Sequence, residues 1–119
     1  MVQKHEIAQF LKRFKQKART WDIVFRDERS KNTQALLALE INIRERREIL
    51  FNLCIEDYSQ GPMKDEFDLG SGLWVFGRTV NSQEVYIKIT LGKHSRPVIC
   101  ISFHTAEHPM PYPFKKQEE

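Results

Sequence analysis

The sequence predicts an α+β domain: an antiparallel β-sheet meander with helices packed on one of its faces. Three observations carry this. Residues 5–18, HEIAQFLKRFKQKA, repeat apolar side chains at helical spacing. The strand-like runs LWVFGRTV, EVYIKITL and PVICISFH follow one another through short polar links. The resulting order, helix–strand–helix–helix–strand–strand–strand, separates most of the helical chain from the meander.

Each element has its own reason. In the first helix Ile7, Phe10, Leu11, Phe14 and Ala18 form one apolar stripe, and the lysines form its wet side. WDIVF, residues 21–25, is rich in aromatic and β-branched side chains and reads as a short strand. RDERSKN reads as a polar loop in which Asn32 caps a helix through TQALLALE. Asn42 caps the next, IRERREILFNLCI, with Ile43, Ile49, Leu50 and Leu53 turned inward. Residues 57–72, DYSQGPMKDEFDLGSG, mix glycine and proline with acids and read as a long loop, a place where function often resides. The three strand runs are joined around Asn81-Ser82 and around GKHSR, links short enough to make the strands antiparallel neighbours. Residues 105–119 read as an extended tail.

At 119 residues the chain is expected to be one domain, 1–119, with enough apolar side chains for its own core. No apolar run approaches the roughly 20 residues that span a bilayer. MVQKHEIAQF lacks the apolar stretch of a signal peptide, so a cytoplasmic protein with no membrane partner is expected. Cys54 and Cys100 both sit in apolar runs and read as reduced, buried thiols. The formal charge is +3, but residues 1–20 hold Lys4, Lys12, Arg13, Lys15, Lys17 and Arg19 against Glu6 alone. Such a basic helix attracts polyanions, of which nucleic acid is the commonest in a cytoplasm. The plainer reading of the same charges is a solvated helix face.

Strand alternation then sorts side chains by face. Val85, Ile87, Ile89 and Leu91 share one side of the middle strand, and Tyr86, Lys88 and Thr90 the other. In the last strand Ile99, Ile101 and Phe103 should point to the core, leaving Cys100, Ser102 and His104 opposite. Trp74 and Phe76 look inward, and Val75, Gly77 and Thr79 outward; a two-residue hairpin link would set Gly77 across from Tyr86. One open surface should therefore gather Tyr86, Lys88, Ser102 and His104. Lys64 and Gln60 of the long loop, and Lys93, His94 and Arg96 of GKHSR, should lie at its edges.

That set suits metal-independent RNA cleavage. Attack by a ribose 2′-hydroxyl on the adjacent phosphate needs a proton acceptor, a proton donor and positive charge on the developing phosphorane. His104 is the candidate general acid, an imidazole being able to exchange protons near neutrality. Tyr86 orients or activates the 2′-hydroxyl or stacks on a base, and Lys88 and Lys64 hold the phosphate. Arg78, Lys93, Arg96 and Gln60 are candidate RNA contacts. Outward Tyr, Lys and Thr also serve solubility alone, so the alternative is a non-catalytic RNA- or protein-binding domain.

The segment EVYIKITLGKHSRPVICISFH resembles the C-terminal strands of the MqsR-like family, toxins of bacterial toxin–antitoxin pairs, and NTQALLALEI, LCIEDYS and WVFG extend the likeness in order. The resemblance covers roughly residues 20–104. It implies a RelE-like fold, sequence-specific cleavage of mRNA and neutralisation by a co-encoded antitoxin protein. Tyr86 matches the family tyrosine of a V-Y-x-K-I strand, and His104 stands where the family carries lysine after I-x-F. Val75 replaces the glutamine that follows the family tryptophan; Lys64 is the nearest counterpart of a loop lysine, with Gln60 behind it.

HTAEH, residues 104–108, has the H-x-x-E-H spacing of some zinc hydrolases. That motif places its histidines on one helical face, whereas His104 closes a strand and Pro109 disfavours helix at His108. No third ligand is evident, and neither a metal nor another cofactor is expected. A Cys100–His104 nucleophilic pair is disfavoured because burial leaves a thiol inert.

Overall fold

Helix α1 (Lys4–Trp21) buries Ile7, Phe10, Leu11, Phe14 and Ala18, the stripe that its spacing predicts. The fold, a computed structural model, is described for residues 2–115, so 116–119 of the predicted tail lie outside the described residues. Asp22, at positive φ, ends α1 and turns the chain into β1 (Ile23–Phe25). Helices α2 (Ser30–Leu39) and α3 (Ile43–Phe51) follow, then β2 (Tyr58–Met63), β3 (Leu73–Val80), β4 (Gln83–Thr90) and β5 (Val98–Thr105). The result is an α+β fold whose five strands form one mixed sheet in the order β1-β5-β4-β3-β2.

The pairings refine the expected antiparallel sheet. β2 to β5 are successive antiparallel neighbours, but β1 joins β5 in parallel, with Ile23 opposite Val98. Much of the segment expected to be a loop is strand: Tyr58 to Met63 pairs irregularly with β3, and the loop proper spans 64–72. Gly61 and Pro62 are compatible with this because β2 is an edge strand, where a missing N–H costs no interior ladder bond.

The β3–β4 link is the two-residue turn Asn81–Ser82, both at positive φ, as a hairpin turn matched to strand twist requires. Trp74 and Phe76 face α1, where Phe10 stacks on Trp74 with ring centres 4.4 Å apart. In β5 the expected alternation fails at one point. Lys88 opposes Ser102 while Ile89 opposes Cys100, which leaves Ile101 as an extra residue. This bulge reverses the faces before it, so Cys100 joins the core and Ile99 lies on the other side. Ser102 and His104, beyond the bulge, keep the expected face.

Asn32 does not cap α2; Arg29 holds that position and Asn32 lies within the first turn, 3% exposed. Its Nδ2 donates to Arg26 O and Ile101 O, each at 2.9 Å, and its Oδ1 accepts from Phe103 N at 3.0 Å. β1 stops at Phe25, and this amide continues its work along β5, satisfying backbone groups that burial would otherwise strand.

Asn42 caps α3 as expected, accepting from Glu45 N at 2.8 Å while Glu45 Oε1 accepts from Asn42 N at 3.1 Å. The helix turns Arg46 and Leu50 inward, whereas Ile43 is 66% exposed. Arg46 forks onto Asp27 at 2.8 and 3.1 Å and stacks 3.7 Å above the Phe25 ring, contacts that offset the loss of its water. Among the described residues no helix is long and apolar enough to cross a membrane.

Removing the Asn32 side chain leaves two carbonyls and one N–H short of a partner. Asn32→Ala should lower the unfolding free energy by about 2–4 kcal/mol. Urea denaturation measures this, and a loss below about 0.5 kcal/mol would contradict the bridging role.

Candidate functional site

Register sets the floor of the site. Gly77 opposes Tyr86, and Tyr86 opposes His104; one step along, Val75 opposes Lys88 and Lys88 opposes Ser102. These rows lie on the face turned away from α1, as the alternation predicts. The Tyr86 and His104 rings stack with centres 5.3 Å apart and planes 15° from parallel. Lys88 Nζ lies 5.9 Å from the Tyr86 ring centre. Val75, opposite Lys88, is fully buried, so its apolar side chain is covered rather than open to a ligand.

The floor is roofed on one side by the tail, so that a cavity of about 350 Å³ opens between Tyr86, Lys88, His104, Gln60, Arg29 and the segment His108–Pro111. Gly77 makes this possible. A Cβ there would come within 2.9 Å of Met110 Cε and would also collide with the Tyr112 hydroxyl. The tail is tied down before and after the cavity. Ala106 N donates to Glu84 O at 2.8 Å and Glu107 pairs with Lys31; farther on, Tyr112 Oη donates to Glu84 Oε2 at 2.7 Å and Phe114 packs 5.9 Å from Tyr58.

The surroundings set the state of each polar side chain here. His104 Nδ1 lies 2.9 Å from Thr105 O. A carbonyl only accepts, so Nδ1 carries a hydrogen and Nε2 is the atom free to gain or lose a proton. Burial raises the Tyr86 pKa, with Glu66 adding to the rise and Arg29 opposing it, so the hydroxyl keeps its proton and acts as a donor. Burial lowers the Lys88 pKa, with Arg29 adding to the fall and Glu66 resisting it. Ser59 lines the same cavity, and its buried Oγ makes no hydrogen bond within the protein.

The other sequence-predicted residues are placed differently. Lys64 is exposed on the 64–72 loop and does not line the cavity; from that loop it is the Glu66 charge that reaches Tyr86 and Lys88. Arg78 lies on the helix-facing side of β3, donating to Asn52 O at 3.0 Å and 3.9 Å from Asp57. Lys93 and Arg96 belong to the β4–β5 turn, at the opposite end of these strands from the Tyr86–His104 pair. Gln60 does reach the cavity, from the edge strand. Several lining residues escaped the sequence reading, among them Arg29, Ser59 and His108. Arg29 stands outside any apolar period, and His108 had only its spacing from His104 to mark it. Asp65, part of the acidic loop, is engaged locally, accepting from Leu69 N at 2.8 Å and Gly70 N at 2.7 Å.

His104, Glu107 and His108 all border the cavity, yet among the described residues no three His, Cys, Asp or Glu side chains form a set that could hold a metal ion. The cysteines differ from each other. Cys100 is buried as expected, whereas Cys54 is exposed, its Sγ 3.4 Å from Asp57 Oδ2 at the start of a short 3₁₀ turn. Comparison with known protein families, characterised proteins and solved structures gives no match for this chain.

Burial pushes the Cys100 thiol from its ordinary 9.0 up to about 12. The folded state therefore holds this proton more tightly than the unfolded state does. Its contribution to stability is whole below about pH 9 and is lost as pH rises toward about 12. Urea midpoints should fall less steeply for Cys100→Ala than for the unaltered protein across that window; equal slopes would contradict the burial. At pH 8 a disulfide-exchange reagent should modify Cys54 in the folded protein and Cys100 only after denaturation.

Proposed function

We propose that this protein is a metal-independent endoribonuclease that cleaves single-stranded mRNA, an MqsR-type toxin on a RelE-like scaffold neutralised in the cytoplasm by a co-encoded antitoxin. The observation that supports it is the meeting of Tyr86, Lys88 and His104 in one open cavity with an unpartnered Ser59 hydroxyl. The chemistry follows from the atoms. Lys88 and Arg29 place positive charge where a phosphate would sit, and a pentacoordinate phosphorane carries more negative charge than the ground state. His104 Nε2 is the exchangeable site within reach of the floor. The proton-retaining Tyr86 hydroxyl donates to the substrate, while the Tyr86 ring offers a face on which a base can stack. The 2′-oxygen forms a bond to phosphorus, the bond to the 5′-oxygen breaks, and that oxygen leaves with a proton. The products are a 2′,3′-cyclic phosphate and a 5′-hydroxyl.

In this reading His104 differs from the expected general acid in one respect: its free nitrogen suits acceptance of the 2′-hydroxyl proton. Lys64, Arg78, Lys93 and Arg96 have no part in the central contact and serve at most the flanking RNA. A second reading, a non-catalytic RNA- or protein-binding domain, draws support from Val75, which gives the floor no hydrogen-bonding amide.

The test is incubation of the purified protein with a long mRNA in excess EDTA. Cleavage to cyclic-phosphate ends should persist, His104→Ala should slow it by about 100-fold or more, and Tyr86→Phe by roughly tenfold, with melting curves unchanged. Binding of RNA without cleavage by the unaltered protein would establish the second reading instead.

A further inference from the structure

The proposed reaction needs a proton removed on one side of phosphorus and delivered on the other, because nucleophile and leaving oxygen stand in line across it. A group on the cavity floor serves one side readily. Another wall belongs to the tail, and His108 lies there.

We infer that His108 is the second proton-transfer group of this cavity, donating to the leaving 5′-oxygen while His104 accepts the 2′-hydroxyl proton. The inference rests on the ribonuclease reading and deepens it. Three features support it. Both residues border one cavity, His104 from β5 and His108 from the crossing tail. The tail is held before His108 by Ala106 and Glu107 and after it by Tyr112 and Phe114, so the imidazole is presented by a fixed wall. Glu107 lies close enough to feel the charge of both imidazoles, and its ion pair with Lys31 anchors it to α2. Lys88 and Arg29 complete the cationic surroundings, and Tyr86, stacked on His104, places the hydroxyl-binding side at the floor. The spacing that mimics a zinc motif in HTAEH thereby acquires another meaning: one turn of chain carries the second imidazole from the strand to the wall above it.

Leaving-group chemistry distinguishes the two roles. An oxygen that leaves readily without a proton, such as p-nitrophenolate from a uridine 3′-(p-nitrophenyl) phosphate, has no need of an acid, but its 2′-hydroxyl still needs a base. His108→Ala should therefore slow cleavage of RNA by about 100-fold and of the aryl ester by less than about threefold, whereas His104→Ala should slow both. Free imidazole should restore RNA cleavage to His108→Ala, since the side chain it replaces is exposed. Equal losses on the two substrates, an unaffected His108→Ala, or the reverse pattern between the two variants would each overturn the inference and leave the ribonuclease reading standing. No turnover of either substrate by the unaltered protein would overturn both.

Discussion

Because side chains on a strand alternate, the Asn81–Ser82 turn decides more than the direction of a hairpin. By closing Val80 against Gln83 it sets every pair behind it, and so Gly77, Tyr86 and His104 fall in one row. A slip of one residue would carry Tyr86 beneath α1 and push Ile87, fully buried in the core, into the cavity. The hydrophobic cost of exposing Val85, Ile87 and Ile89 opposes that slip, as does the twist preference of a turn with two residues at positive φ. The bulge at Ile101 then reconciles two demands on β5. It lets Val98 and Cys100 enter the core beside β1 while His104 still looks out.

A sheet face is nearly flat, and a flat face holds no ligand well. Concavity here comes from parts outside the central strands: Gln60 and Ser59 from the edge strand, Arg29 from the start of α2, and the tail. The tail depends on a side chain that is missing. Only the bare backbone of Gly77 leaves room for Met110 and Tyr112, and the fit draws the preceding His108–Pro111 over the row that carries Tyr86 and His104. Partial enclosure in turn explains the electrostatics. Lys88 and Tyr86 both lose water and shift toward their neutral forms, which brings an ammonium closer to donating its proton and secures a hydroxyl as a donor.

What was legible in the sequence followed from period and from turn chemistry. The α1 stripe, the three long strands and the side of the sheet that carries Tyr86, Lys88 and His104 all rest on spacings that tertiary structure had little reason to override. The misreadings share a different cause: the residue type suggested one role and a distant partner supplied another. Asn32 looks like a cap, but the unpaired backbone of β5 claims its amide. Ile43 looks buried, but the inner side of α3 takes Arg46 instead, because Asp27 and Phe25 wait there for a guanidinium. Gly61-Pro62 looks like a loop, and only its edge position lets the segment pair. Arg29 and His108 carry no periodic signal because neither lies in a repeating element; the fold brings them to the cavity from either side.

The basic N-terminal helix shows why charge counts mislead without geometry. Lys15 donates to Leu53 O at 2.6 Å, and Lys17 to Lys93 O at 2.6 Å and also to Leu91 O. Both are lowered in pKa by burial, so these ammonium groups fasten α1 to the chain beneath it rather than face a polyanion. Arg19 lies over the Phe51 ring, which it shares with Arg47. The remaining cations of α1 sit on the helix side of the sheet, and Trp74 and Phe76 pack between that helix and the cavity face. Those charges act on the cavity face only through the sheet, and the screening length at physiological salt is about 8 Å. Their field can therefore hasten the approach of a polyanion, but it has little left to position one phosphate. In the proposed reaction that task falls to Lys88 and Arg29, the two cations that line the cavity with the imidazoles.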